Sequence, residues 1–476
     1  MRALGIRNID DGEMSLTLSA VEAFAHRLRG ELLTPESPGY DRARTVWNAM
    51  VDHRPALIAQ CAGTADVLGA VTLAAEHRLL ISVRGGGHHI AGHAVCEGGL
   101  MIDLSPMKLI RVNPEARRAR VGPGATLGDF DHETQAFGLA TPVGINSTTG
   151  IAGLTLGGGF GWLTRKHGLT ADNLRSADVV TADGCCLRAD AERNSDLFWG
   201  IRGGGGNFGI VTSFEFDLHE FGPEALSGLI VFPAGQAEAV LRQYREFALE
   251  APDELCVFAV LRKAPPLPFL AEEVHGQDVL LLALFYAGAV EVGMPFAATL
   301  RGFGTPVGEH VGPQPYTAWQ TAFDPLLTPP ARNYWKSLNL EAVSDGAIEV
   351  LIDAALRVPS PQCEVLVGHV GGAANRISPD ATAWPHRGTN FIVNAHGRWD
   401  DADDDARAIA WARDLYDRLK PHAQTGGYVN FMTGEEQKRI SAAYGDNYPR
   451  LAALKQRYDP ENLFRLNHNI RPEGSV

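Results

Sequence analysis

The sequence is short of the features that would mark it for a membrane, a nucleic acid or a disulfide framework. No apolar run approaches the length of about 20 residues that spans a bilayer, and the opening MRALGIRNIDDGEMS contains no apolar leader core. Basic residues are in the minority, 42 Lys and Arg against 56 Asp and Glu, for a net charge of -14. That balance excludes the basic stripe with which a protein neutralises the phosphates of a nucleic acid. The six cysteines, Cys61, Cys96, Cys185, Cys186, Cys256 and Cys363, form no CxxC pair, so free thiols are expected. These absences leave the expectation of a soluble, cytoplasmic protein with a small-molecule partner. Its 476 residues suffice for two or three domains with separate cores.

What the chain has in plenty is glycine, 52 residues, concentrated in its first half. Residues 82–99, SVRGGGHHIAGHAVCEGG, pack six glycines, three histidines and an arginine between two apolar segments. Gly85, Gly86 and Gly87 remove every Cβ from one turn, so main-chain N–H groups can approach a bound phosphate closely. Taken alone, this run equally suits a tight turn with surface histidines. His88, His89 and His93 with Cys96 also admit a metal cluster, although a glycine loop offers no rigid second pair of ligands. A second glycine-dense stretch, residues 140–169, is almost uncharged until Arg165, and a third glycine run covers 203–206. Gly122-Pro123-Gly124 is no dinucleotide fingerprint, because the proline spoils the tight turn that fingerprint needs.

Periodicity and turn signals supply the frame. A helix is expected from Ser19, where S-A-V-E forms a capping box, another from Thr64, and another from the N-cap Thr126. Strands are expected over 56–60, 80–83, 101–104, 109–112 and 118–121, then a hairpin about Asp183-Gly184 and a half-buried strand from Phe214. Composition shifts near Gly222-Pro223. Beyond it, strands over 229–232, 257–261, 280–286, 338–342, 364–370 and 391–396 alternate with helices over 237–249, 345–356 and 401–419. That alternation implies a second domain with a mixed sheet covered on one face. A polar tail containing one amphipathic helix ends the chain.

The motifs Arg84-Gly85-Gly86-Gly87-His88, GLTLGGGFGWLTRKHGLTADNL, DLFWGIRGGGGNFGIVTSFEF and YDPENLFRLNHNI together resemble the FAD-linked oxidases of the vanillyl-alcohol oxidase superfamily, in its berberine-bridge-enzyme-like branch. The resemblance implies an α+β protein. A two-subdomain FAD-binding domain of PCMH type would span 30–222, a substrate domain with a mixed, mainly antiparallel sheet covered by helices 223–424, and a segment returning to the FAD domain 425–476.

By the same resemblance, Arg84, Gly85, Gly86 and Gly87 bind the FAD diphosphate, and His88 attaches covalently to the flavin 8α carbon. His89 and Gly92 complete that loop. Val143, Gly144, Thr148, Thr149, Gly150, Gly153, Leu154, Gly157, Gly158 and Gly161 line more of the cofactor. Gly209, Ile210 and Val211 meet its adenine half, and Tyr428, Asn430 and Asn467 return to it from the tail. Asn146 stands where bicovalent members carry a cysteine, so the expected tether is single.

Phe431 replaces a tyrosine that many members use as a base. The resemblance instead implies Glu364 as the acid–base residue, with Tyr428 as the alternative, and burial on an apolar strand is expected to raise the Glu364 pKa. The implied activity is hydride removal from a small secondary-metabolite-like substrate, with reoxidation by molecular oxygen. A flavin dehydrogenase, an internal-redox catalyst, or a flavin- or metal-holding protein without turnover remain the alternatives. Val260, Tyr334, Trp335 and Phe391 are candidate pocket walls.

Overall fold

Three larger sheets organise the chain in the computed structural model, which describes residues 3–10 and 12–473. The first has four strands in the order Glu31–Leu33, Leu57–Gln60, Leu100–Asp103, Ile81–Arg84, the last three parallel. Its centre is apolar without alternation, with Leu57, Ile58, Ala59, Leu100 and Ile102 all buried, as expected of parallel strands covered on both faces. The helix Thr64–Glu76 crosses between two of them and buries Val67, Ala70, Val71 and Ala74 at helical spacing. Asp66 in its first turn accepts from the N–H groups of Arg29, Gly30 and Ala62.

Residues ahead of position 30 share this core. The strands Ala3–Arg7 and Glu13–Thr17 pair as a hairpin, and Ile6, Leu16 and Phe24 pack with Val67 and Leu79. The sequence reading had no strand there, because each is only five residues long.

The second sheet is antiparallel, in the order Cys186–Asp190, Leu174–Val180, Ile210–Asp217, Arg118–Val121, Ile110–Asn113. Thr126 caps the helix Leu127–Gln135, and Asp129 returns a bond to the Thr126 N–H, closing a reciprocal capping box.

The third sheet has seven strands, ordered Gly308–Pro315, Glu224–Pro233, Asp278–Tyr286, Leu255–Lys263, Glu364–His369, Phe391–Trp399, Arg332–Leu340. Every pairing in it is antiparallel, so the expected parallel component is absent. The helices Ala237–Glu250, Asp345–Ala355 and Asp405–Leu419 cover one face, where Tyr244, Leu351 and Leu415 pack on Leu280, Val365 and Val393. Its opposite face turns toward the first two sheets. Gly308–Pro315 carries Pro313 and Pro315, which hid it in the sequence. It lies at the sheet edge, where a missing N–H is tolerated.

The tail returns to the glycine-rich half. In the helix Tyr448–Tyr458, buried Lys455 donates to the Asn207 and Phe464 carbonyls and pairs with Asp459 at 2.7 Å. Asp459 in turn accepts from the N–H groups of Leu463 and Phe464. Two arginines fasten the seven-stranded sheet to the rest. Arg165 donates to the Leu255 and Ala251 carbonyls at 2.7 and 2.9 Å, and Arg387 pairs with Asp172 at 2.7 Å. Among the described residues no helix is long and apolar enough to cross a membrane.

A third fastening titrates. Gln320 donates to Asp131 at 2.8 Å and to the Gly144 carbonyl at 3.3 Å, and burial pushes the Asp131 carboxyl from 3.8 up to about 7. Between those two values the native chain holds a proton that the unfolded chain has lost, so stability falls as pH rises through that window. Asp131→Asn is expected to flatten this fall. Melting temperatures of both proteins from pH 4 to pH 8 check it, and an equal slope in the two would show that Asp131 is not responsible.

Candidate active site

A cavity of about 490 Å³ runs between the glycine-rich loops, the tail and the open face of the seven-stranded sheet. At one end the parallel strand Ile81–Arg84 delivers the chain into Gly85, Gly86 and Gly87, which line it. A Cβ on Gly86 would lie 2.5 Å from the Gly150 nitrogen, and a Cβ on Gly150 2.5 Å from the Gly86 nitrogen, so the two loops touch backbone to backbone. The N–H groups from Gly85 to His89 donate to no protein acceptor among the described residues. Such a turn is free to receive an anion. Arg84 does not join it. Its guanidinium bonds Asp103 at 2.9 and 2.5 Å and the carbonyls of Ala43 and Thr45, which anchors the turn from behind.

His88 follows the turn and lines the cavity, its ring stacked on Trp47 at 4.4 Å and its Nε2 3.3 Å from the Thr148 hydroxyl. Surrounding protein atoms desolvate the ring and lower its pKa to about 3, so the imidazole is neutral. His89 is held by the Ala91 N–H on Nδ1 and by the Val429 carbonyl near Nε2. His468, a tail residue that no local pattern marks, lines the cavity and packs its ring 5.0 Å from His89 and 5.2 Å from His93. Among the described residues no three His, Cys, Asp or Glu side chains are placed to hold a metal ion. Cys96 is buried, its thiol pushed up to about 11.

Of the second glycine stretch, Gly144, Asn146, Thr149, Gly150, Gly153, Leu154 and Gly157 line the cavity. The remaining candidates stand behind it. Thr148 donates to Asn146 Oδ1 at 2.6 Å and faces His88, while Gly161 packs on Val143, whose carbonyl oxygen a Cβ there would meet at 2.0 Å. Gly158 lies against Trp384, and Gly92 against Val51. Gly209, Ile210, Val211, Tyr428, Asn430 and Asn467 all line the cavity. Gly157 leaves room for Asn430, which a Cβ would meet at 2.0 Å. Asn430 donates to the Tyr428 hydroxyl at 2.9 Å, and burial holds that phenol well above its ordinary pKa, so Tyr428 is a poor proton acceptor.

The far wall follows from antiparallel register. Alternate residues share a face, so Val279, Arg262, Glu364, His396 and Trp335 form one row across five strands, and Leu281, Val260, Leu366, Asn394 and Ser337 the next. Most of these line the cavity, together with Leu229, Phe258, Phe160, Trp162 and Phe431. Val260 and Trp335 are therefore walls as expected. Tyr334 and Phe391 are not, because parity turns both to the helix-covered face, in the core of Tyr244 and Leu351.

Glu364 departs from expectation more sharply. Its Oε2 is 2.6 Å from Arg262 and its Oε1 3.0 Å from His396 Nδ1. Burial alone would raise the carboxyl, but the charges and hydrogen bonds of Arg262 and His396 outweigh it and hold it down at about 2. Arg262, His396 and Asn394 were invisible in the sequence, since no local motif marks a strand residue whose partners lie on neighbouring strands.

Comparison with known proteins supports what the geometry suggests. The family described as FAD binding domain matches residues 55–190, and the family described as berberine and berberine like matches residues 427–471. A FAD-linked oxidoreductase of Dictyostelium discoideum is 31% identical over 457 residues, 95% of this chain and 97% of that protein. The (R)-6-hydroxynicotine oxidase of Paenarthrobacter nicotinovorans is 31% identical over 472 residues, 94% of this chain and 98% of that one. The glucooligosaccharide oxidase of Acremonium strictum, a solved structure, superposes with a TM-score of 0.85 at 23% identity, over 96% of this chain and all of the other.

FAD fits the cavity's chemistry. The free N–H turn suits a diphosphate. Apolar Ile81, Val83, Leu104, Ile210 and Phe464 suit a flat ring, and buried Asn467 Oδ1 has no hydrogen-bond partner among the described residues. Gly86→Ala is expected to separate the two loops and cut bound flavin at least tenfold in protein that remains folded. Gly235→Ala, which meets nothing within 4 Å, serves as the control. Flavin absorbance per mole of chain, with circular dichroism to verify folding, checks the difference, and equal flavin content would refute it.

Proposed function

Because the chain belongs to the berberine-bridge-enzyme-like FAD-linked oxidoreductases, we propose that it removes a hydride from a small, mainly apolar substrate and passes the electrons to molecular oxygen. One observation carries this reading: a single cavity runs from the free N–H turn, past a neutral histidine, to an apolar wall crossed by one polar row. FAD, when bound, supplies the two-electron acceptor.

The chain's own residues do the rest. Gly85, Gly86 and Gly87 offer N–H donors to the diphosphate, and Arg84 with Asp103 keeps that turn in place. Gly144, Thr149, Gly150, Gly153, Leu154 and Gly157, with Gly209, Ile210 and Val211, form the slot, and Asn430 and Asn467 close it from the tail. Thr148, Val143, Gly158, Gly161, His89 and Gly92 shape these loops. His88, kept neutral by burial, has the nucleophilic form needed for an 8α linkage. The glucooligosaccharide oxidase holds a 6-S-cysteinyl, 8α-N1-histidyl FAD. Asn146 has no sulfur to offer, so the tether here is single.

On the substrate side, Phe258, Val260, Leu281 and Leu366 present hydrocarbon, and the Arg262–Glu364–His396 row supplies the only ion pair among the residues lining the wall. A sugar chain would need many hydrogen-bond partners that this wall lacks. A flat or hydrocarbon-rich molecule with one reacting O–H or N–H suits it.

Two measurements test the reading. After acid precipitation the yellow colour is expected in the pellet for wild type and in the supernatant for His88→Ala; colour in the supernatant for both would rule out the tether. A panel of alcohols, amines and phenols, screened for anaerobic bleaching of the flavin, is expected to yield a substrate. In air that compound should consume oxygen and release hydrogen peroxide in equal amounts, and bleaching without peroxide would make the protein a dehydrogenase.

A further inference from the structure

We propose that His396, through its Nε2, is the group that takes the proton from the substrate's reacting O–H or N–H, with Glu364 and Arg262 as positioning residues behind it. This rests on the oxidase reading above and assigns the acid–base role to a residue that the sequence did not single out.

The geometry separates the three members of the row. Glu364 is engaged at both oxygens, by Arg262 at 2.6 Å and by His396 Nδ1 at 3.0 Å. An ionised carboxylate can only accept, so Nδ1 carries the hydrogen in that bond, and the lone pair of a neutral ring then lies on Nε2. Nε2 is buried, has no hydrogen-bond partner among the described residues and belongs to a residue that lines the cavity. The ring cannot swing away, since Trp335 stands edge-on against it at 4.5 Å and Glu364 holds the other side. Asn394, two residues earlier on the same face, also lines the cavity with an unpartnered Oδ1, a second contact for the same substrate group. The low Glu364 pKa agrees with this order, because a carboxylate so strongly held is a weak base.

Charges of both signs face the ring. Arg262 and Glu364 cancel as a pair, Arg398 lies one position further along the His396 face with its Nη2 on the Thr328 carbonyl, and His88 is neutral. A proton arriving at Nε2 creates an imidazolium whose Nδ1–H already points at an ionised carboxylate, the arrangement that stabilises a protonated histidine in acyl-transfer triads.

The balance closes as follows. The O–H or N–H bond breaks and its proton goes to Nε2, while the adjacent C–H leaves as hydride to FAD and the carbon becomes a carbonyl or imine. Molecular oxygen then removes the two electrons and two protons as hydrogen peroxide, one of those protons being the one His396 stored.

The first test needs no substrate. In flavin-loaded protein labelled with ¹⁵N-histidine, the His396 signals, identified by their loss in His396→Gln, are expected to show a protonated Nδ1 and a bare Nε2 at neutral pH. Glu364→Gln should redistribute that tautomer. A proton resident on Nε2 in the wild type would overturn the proposal whatever the protein's activity. The second test uses whichever compound bleaches the flavin. His396→Ala is expected to slow anaerobic flavin reduction at least 100-fold, to remove the acid limb of its pH profile, and to regain rate when free imidazole is added. Glu364→Gln should shift that limb to lower pH, because the imidazolium loses its counter-charge. An unaltered rate in His396→Ala, or a loss in Glu364→Gln alone, would return the role to the carboxylate. Absence of any bleaching in wild type would instead count against the oxidase reading, and the nitrogen signals would still decide the placement of the proton.

Discussion

The cleft exists because two backbones touch with no Cβ between them. Gly86 and Gly150 approach so closely that a methyl on either would stand 2.5 Å from the other's nitrogen. Around that contact the same economy recurs: a Cβ on Gly85 would meet the Pro123 carbonyl oxygen at 3.0 Å, and one on Gly157 or Gly161 would meet the Asn430 amide oxygen or the Val143 carbonyl oxygen at 2.0 Å. The glycines therefore do two jobs. They leave room for a ligand, and they let the strand-end loop, the second glycine stretch and the tail close on one another. The buried Arg84–Asp103 pair braces this arrangement; removing one partner would strand a charge with no water to solvate it.

The other side of the cavity obeys a different rule, the two-residue alternation of antiparallel strands. One face of the seven-stranded sheet feeds the helices, and the other presents a hydrocarbon wall with a single polar row. Sheet parity alone decides whether a residue meets substrate or core. Trp335 and Tyr334 are neighbours in the chain, yet one lines the cavity and the other packs under the helices with its hydroxyl bonded to Glu435.

This contrast explains which parts of the molecule were legible in the sequence. The Thr126 N-cap and the hairpin about Asp183-Gly184 have partners within a few residues, and local pattern reveals them. The environment of Glu364 has no such signal. Arg262 lies 102 positions away and His396 32 positions away, and only strand register brings them together. A carboxylate on an apolar strand was taken to be raised by burial, and the ion pair that reverses the sign could not be seen. The same distance hid the role of His468, which reaches His89 and His93 from the far end of the chain.

Burial acts with opposite results at the two ends of the cavity, and the difference is one of partners. Desolvation disfavours every charged form. At His88 no carboxylate opposes it, and the ring is neutral. At Glu364 a guanidinium at 2.6 Å does oppose it, and the carboxylate stays ionised. Tyr428, whose hydroxyl meets the Asn430 amide and the Gly159 backbone but no cation, keeps its proton. The cavity thus contains a charge that is fixed and therefore chemically quiet, beside an imidazole whose outer nitrogen is uncommitted. A group gains a proton most readily where its counter-charge is already in place and its own lone pair is not yet spent, and among the described residues of this wall His396 Nε2 meets both conditions.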